Sequence, residues 1–360
     1  MASSITKLIF PNEVSDRHIK ALDGLRGFAV LLVLLSHASS ANLHLLPVFN
    51  LHGAGKGGVM LFFVLSAYLL DRQIAQAYLQ KRTGTFYWAN YLLRRFLRIF
   101  PLYAIALFIY LGLSHMGFSA SLDSMADVGE HLLLQKGKGV FWSIPVEFKY
   151  YLISPLLLWI CHRLFHWNPP YIFGFTLALI IASLTINYFF DLPKLSTVRY
   201  LHIFLLGTGA ALLQLLHPKL LSRFYNPLLT PIITTLSLAC GYALVPSVRN
   251  LLWPSVGQID LPIAFLIWGI IGTRLVLAVQ YSNDWFTRIF SWGPLRYLGV
   301  ISFSAYLFHL PILGATTQLG WLPHSLKLWL FLGVTILCST ASYLLIERPL
   351  SKARILDHKA

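Results

Sequence analysis

Residues 22–37 read Leu22-Asp23-Gly24-Leu25-Arg26-Gly27-Phe28-Ala29-Val30-Leu31-Leu32-Val33-Leu34-Leu35-Ser36-His37, an aliphatic run bracketed by an arginine and a histidine. With its neighbours it reaches the roughly 20 apolar residues that a helix needs to cross the hydrocarbon core of a bilayer. Comparable runs recur as far as Ile346. They predict spanning helices near 27–45, 57–71, 99–115, 141–161, 171–190, 200–216, 228–245, 260–280, 297–315 and 325–346. Short loops punctuated by Pro, Gly and Asn separate them, as at Asn168-Pro169-Pro170 and Asn226-Pro227. The expected fold is all-α and integral to the membrane, a bundle of about ten transmembrane helices. A single domain over 1–360 is expected, with 1–26 as an N-terminal segment and 347–360 as a tail.

Composition agrees with this reading. Of 360 residues, 57% are hydrophobic and 11% charged, with a mean hydropathy of +0.67. Soluble domains carry about twice that share of charge. A formal net charge of +15 would suggest nucleic acid in a soluble chain. Here the basic residues are spread over separate short loops, which excludes nucleic acid and fits the enrichment of Lys and Arg in cytoplasmic loops. With the N-terminus in the cytoplasm, only Lys56, Lys136, Lys138, Lys149, Lys194, Arg199, Arg249 and Lys327 of the 28 basic residues fall outside. Both termini are therefore expected to be cytoplasmic, with an even number of spans. Cys161, Cys240 and Cys338 lie far apart in apolar surroundings, as small core residues rather than a disulfide framework. The first 25 residues are mostly polar, so no cleavable signal peptide is expected and the first span drives insertion.

Ionisable groups are costly at membrane depth, and each is a functional candidate. Arg26 and His37 are 11 residues apart, close to three turns, so they share a face about 16 Å apart along the axis. That spacing sets Arg26 near the cytoplasmic interface and His37 near mid-membrane. The imidazole is placed for a general base or proton carrier; the competing role is a histidine hydrogen-bonded between helices beside a snorkelling arginine. In the second span, Phe62 and Ser66 share a face through their i, i+4 spacing. Ser66 is suited to a ligand or to bonding back onto its own helix. Arg94-Arg95-Phe96-Leu97-Arg98-Ile99-Phe100-Pro101 introduces the third helix. Arg95 and Arg98 face one way at the cytoplasmic boundary, as a grip for phosphate or a contact for anionic lipid.

On the outer side, Phe141-Trp142-Ser143-Ile144-Pro145-Val146-Glu147 opens the fourth span, with proline in the first turn. Glu147 suits an acid/base or hydroxyl-binding role, or a structural pair with Lys149 or Arg199. The ninth span sets Tyr306 beside His309 in Ser302-Phe303-Ser304-Ala305-Tyr306-Leu307-Phe308-His309-Leu310-Pro311, where a structural histidine is the favoured reading. His162 and His166 have i, i+4 spacing without Cys or acidic company, so no metal site is expected.

Taken in order, these segments resemble the acyltransferase family 3 of membrane-bound O-acyltransferases. The resemblance covers nearly the whole chain. It rests on Arg26-(ten residues)-His37, Gly58-Val59-Met60-Leu61-Phe62-Phe63-Val64-Leu65-Ser66, Arg95-x-x-Arg98 with Pro101, Trp142-Ser143-Ile144-Pro145-Val146-Glu147 and Tyr306-Leu307-Phe308-His309-Leu310-Pro311. Ala67 stands where the family usually has glycine, a small-for-small change. The resemblance implies a bacterial cytoplasmic-membrane enzyme using cytoplasmic acyl-CoA, usually acetyl-CoA, as co-substrate without a permanently bound cofactor. The acceptor it implies is a hydroxyl of a carbohydrate or cell-surface glycan. His37 and Glu147 would be catalytic, and Arg26, Arg95, Arg98, Ser66 and Phe62 would bind acyl-CoA. Trp142, Ser143, Tyr306 and His309 would serve the acceptor or the structure. Many family members carry an extra-cytoplasmic SGNH hydrolase-like domain after the last spans. None is expected after Ala360, which leaves transfer to the membrane domain or to a separate extra-cytoplasmic partner protein. Contact with membrane lipids follows from the fold. A transporter or flippase for a sugar or lipid-linked glycan, using the same polar groups as a proton path, is the alternative.

Overall fold

The computed structural model describes residues 17–46, 49–118, 121–226, 228–255, 261–282 and 284–351. Pro227 of the Asn226-Pro227 loop and the tail basic residues Lys352, Arg354 and Lys359 lie outside the described residues, as does Lys7. The helices, in chain order, are α1 (Arg17–Ser40), α2 (Gly55–Leu79), α3 (Thr85–His115), α4 (Met125–Leu132), α5 (Ser143–Arg163), α6 (Pro169–Phe189), α7 (Leu201–Leu216) and α8 (Pro218–Phe224). They continue with α9 (Leu229–Ala243), α10 (Pro246–Leu252), α11 (Leu261–Tyr281), α12 (Trp285–Phe290), α13 (Gly293–Val300), α14 (Ser302–Thr317) and α15 (His324–Ser342). A π-helical turn at Tyr343–Glu347 and a short turn at Arg348–Leu350 follow. The described residues form no strand, and the chain is all-α.

Among the described residues, eight helices are long and apolar enough to cross a membrane, and two bent pairs bring the number to as many as 10. The chain is a multi-pass integral membrane protein, and every expected span overlaps one of these segments. The bends are where the expectation fails. α9 and α10 meet at 90°, and α13 and α14 at 79°. At the first break, Val245 is extended (φ −63°, ψ 125°) ahead of Pro246, whose ring disfavours a helical residue before it. At the second, Ile301 leaves the helical region (φ −89°, ψ 7°). Hydropathy is blind to both, because the apolar run continues through each break.

Other boundaries shift for local reasons. α1 ends at Ser40, where Asn42 takes a left-handed φ of 59° and the Leu43 amide reaches back to the Ala38 carbonyl. His37 is thus in the last turn of α1, not near the middle of a span. α3 begins at Thr85 instead of near residue 99, so Arg94, Arg95 and Arg98 lie within the helix. Arginine lowers local hydropathy but is a good helix former, so charge marks a membrane boundary without ending the helix. Pro169 and Pro170 form the first turn of α6 rather than a loop.

The chain divides into two compact units, one of Met1–Leu65 with His217–Phe303 and the other of Ser66–Leu216 with Ser304–Ala360. In the first, α1 packs on α12 and α13 at backbone distance. A Cβ on Gly27 would lie 1.9 Å from the Leu295 carbonyl oxygen, and one on Gly299 would lie 1.9 Å from that of Asp23. Small residues allow this approach, which is how apolar helices gain packing energy without water to expel. In the second unit, a buried aromatic core centres on Phe141, whose ring lies 4.7 Å from Tyr110 and 5.6 Å from Tyr103.

Candidate functional site

The second unit gathers the larger share of the candidate residues. Glu147 stands one turn into α5, half-buried. Its Oε1 accepts hydrogen bonds from Ser66 Oγ of α2 and from Tyr151 Oη, the latter at 2.6 Å. The ion pair expected as a competing role does not form. Lys149 donates to the Leu195 carbonyl, and Arg199 pairs with Asp191. Two hydroxyl donors orient the Glu147 carboxyl in place of the ion pair that a cation would form.

Arg95 adjoins this group through Tyr151. Its guanidinium lies over the Tyr151 ring at 5.6 Å and the Tyr91 ring at 5.8 Å. Tyr91 Oη donates to the Tyr151 carbonyl at 2.6 Å, which fixes the two rings as a cradle. Cation–π contact with two rings orients a cation without cancelling its charge. Arg95 Nε is buried and has no hydrogen-bond acceptor among the described residues, and no carboxylate lies within ion-pair distance of the guanidinium there. Such an orphaned donor is what an anion satisfies. Arg98, three residues on, is exposed and within electrostatic reach of Tyr151 and Glu347.

The N-terminal end of α5 holds a further pair. Ser143 Oγ donates to Tyr306 Oη at 2.9 Å, and Tyr306 donates to the Val140 carbonyl at 2.7 Å. Trp142 turns elsewhere, against Tyr200 and under the Lys194 ammonium. His309 is fully buried, and its Nδ1 faces the Tyr306 carbonyl at 2.8 Å, so that nitrogen carries the proton. His162 stacks on Tyr78 at 4.7 Å.

In the first unit, Arg26 and His37 lie on unbroken α1, and three turns separate them as the spacing requires. Both are half-buried, and His37 is within electrostatic reach of His52, whose Nδ1 meets Ser40 Oγ at 2.9 Å. Phe62 of α2 is half-buried, as is Ser66, so the shared face is the less covered one.

Three residues escaped the sequence reading. Asp71 is fully buried and accepts hydrogen bonds from Tyr150 (2.6 Å), Thr208 (2.5 Å) and Ser154, which ties α2, α5 and α7 together. The expected second span stopped at Asp71, although Ile74, Ala75, Ala77 and Tyr78 continue its buried face. That continuation was the available signal. Glu347, expected at the start of the tail, closes the π turn and accepts from Ser304. Tyr151 carried no signal at all, because its role depends on what α2 and α3 bring beside it.

Between α3 and α5, the segment around α4 forms an ionic knot. Asp127 accepts from Lys138 at 2.9 Å and Lys136 at 3.1 Å. His131 is fully buried, with Nδ1 donating to the Asp127 carbonyl (2.6 Å) and Nε2 accepting from the Lys138 amide (3.0 Å). Acceptance at Nε2 requires a neutral imidazole, protonated at Nδ1. Burial holds the His131 pKa below its ordinary 6.5, while the Lys138 and Lys136 ammonium groups and the Asp123 amide hold the Asp127 carboxyl well below the usual range. A depressed histidine contributes stability above pH 6.5 that is lost as pH falls below it, because the unfolded chain then binds more protons. Asp127 contributes likewise above about 3.8 and fails only in stronger acid. Hydrogen exchange over Met125–Lys138, corrected for intrinsic rate, should therefore accelerate between pH 7 and 5. In His131→Asn protein that acceleration should vanish; if it persists, His131 is not its source.

A family model described as an acyltransferase domain matches residues 19–347. The chain is 23% identical to the peptidoglycan O-acetyltransferase OatA of Listeria monocytogenes, over 96% of this chain and 57% of that protein. It is 24% identical to the putative peptidoglycan O-acetyltransferase YrhL of Bacillus subtilis, over 93% and 55%. It is 25% identical to the O-acetyltransferase OatA of Staphylococcus aureus, over 94% and 58%. The chain thus spans little more than half the length of these relatives. No solved structure matches it. The family match covers both units and every motif quoted above, and the chain belongs to acyltransferase family 3.

Proposed function

We propose that the chain is an O-acyltransferase of the bacterial cytoplasmic membrane, moving an acetyl group from acetyl-CoA to a sugar hydroxyl of peptidoglycan. The acetyl group and the glycan acceptor are drawn from the names of the relatives. The donor reading is carried by one observation: Arg95, cradled by Tyr91 and Tyr151, presents a buried Nε with no acceptor among the described residues. A coenzyme A phosphate supplies that acceptor, and Arg98 and Arg26 are further guanidinium donors for its phosphates. On this reading both termini are cytoplasmic, on the donor side.

His37 takes the proton of the acceptor hydroxyl. The oxygen attacks the thioester carbonyl, the carbon–sulfur bond breaks, and the thiolate leaves with the proton as free coenzyme A. A transient acyl group on His37 is the two-step form of the same balance. Glu147, held through Oε1 by Ser66 and Tyr151, presents Oε2 to a sugar hydroxyl. Ser143 and Tyr306 serve the acceptor.

The test is acceptor-dependent release of free thiol from acetyl-CoA by protein in nanodiscs. Arg95→Ala should raise KM for acetyl-CoA by about ten- to a hundredfold, the value of one charged hydrogen bond. Arg95→Lys should restore little, since a point charge lacks the fork that grips phosphate. An unchanged KM would remove Arg95 from donor binding. Movement of glycan without thiol release would favour a transporter.

A further inference from the structure

A groove of about 550 Å³ runs along the second unit between α3, α14 and α15, lined by Ile109, Leu113, Phe308, Ile312 and Cys338. None of the residues placed in the transfer chemistry lines it. From the groove, its extent and its polar end, we infer that it holds the acyl chain of a bilayer phospholipid, bound tightly enough to persist through extraction.

Several observations converge on that occupant. The groove follows α3 from Ile105 to Leu113, a rise of about 12 Å, less than half the ~30 Å hydrocarbon core. That is the reach of a chain from one leaflet. Beside the groove, α3 exposes Phe108 (50%) and Ile109 (42%), and α15 exposes Leu337 (70%). These faces are lipid-facing in a membrane protein, so the opening admits a molecule from the bilayer and not from water. Gln318 and Ser342 are the polar lining residues, too few to hold water in an apolar channel this size. Ser342 Oγ lies 3.2 Å from Ser304 Oγ, and Ser304 donates to Glu347. An amphiphile with esters above its tail matches an apolar trough that ends on hydroxyls.

The floor offers a clean test. A Cβ added at Gly314 meets nothing within 4 Å, so the Gly314→Leu side chain starts into open space at the groove wall and improves helix propensity. Gly333, on α15 but outside the groove, is equally open and serves as the control. Protein washed extensively in detergent should retain about one phospholipid per chain by native mass spectrometry and phosphorus assay. Gly314→Leu should lower that retention about tenfold, the effect of displacing about two methylenes from a dry wall, while Gly333→Leu should not. If Gly314→Leu proves unstable, Cys338 of the parent provides the second reading. Its alkylation by a lipid-soluble maleimide should be slower with phospholipid present than after delipidation, and slower by about tenfold. Retention unaffected by Gly314→Leu, equal alkylation in both states, or recovery of a polyprenyl lipid or detergent alone would each overturn the assignment. Thiol release is measured separately, so loss of lipid and loss of transfer are distinguishable outcomes.

Discussion

His37→Ala protein is expected to transfer no measurable acetyl group while inserting and extracting like the parent. His37 lies in the last turn of α1, half-buried, where a truncation removes the imidazole without opening the helix. A positioned base contributes about 10² to 10⁴ in rate, and His37 is that base in the proposed mechanism. His37→Asn is the sharper form, because the amide keeps a hydrogen-bonding group but cannot accept the proton. Its pH–rate profile should lose the limb that reports the base, whereas a merely structural histidine would leave that limb in place. Arg26→Ala should behave differently. It sits three turns away, about 16 Å, so it should raise KM for acetyl-CoA with little change in kcat. Near-normal transfer by purified His37→Ala protein would refute the mechanism.

The second large effect is on folding. Gly299→Leu should yield little monodisperse protein, because its Cβ would fall 1.9 Å from the Asp23 carbonyl oxygen. That oxygen belongs to a backbone turn of α1 and cannot swing aside as a flexible side chain would. Gly27→Leu meets the Leu295 carbonyl in the same way from the other helix. Relief requires α1 and α13 to separate, which forfeits the close packing that holds apolar helices together in lipid. Overpacking an ordinary core costs about 1–3 kcal/mol, and a backbone clash exceeds that range. Gly293→Ala, at an open position in the same unit, should be tolerated. Size-exclusion profiles and thermal unfolding of the three variants would show the ordering, and an intact Gly299→Leu peak would contradict it.

These effects separate what could be read in the chain from what could not. Every expected span overlaps a helix or a bent helix pair, because about 20 apolar residues in series satisfy their own backbone hydrogen bonds only as helix. The Arg26–His37 face was equally legible, since both groups ride on one regular element. Boundaries were less so. Arg94, Arg95 and Arg98 lower hydropathy yet continue α3, and Asn42 ends α1 by a backbone conformation that composition does not announce.

The sequence by itself determined the all-α membrane frame, the family, and the polar residues that lie within it. These depend on local hydrophobicity, helical period and ordered motifs. The tertiary structure alone decided that Glu147 is held by Ser66 and Tyr151 rather than by Lys149 or Arg199. It likewise decided that Arg95 rests between two tyrosines, and that Asp71 binds three hydroxyls from α5 and α7. The reason is reach. A hydrogen bond between residues 81 positions apart, as from Ser66 to Glu147, depends on how helices dock, and no periodicity within either helix encodes its partner.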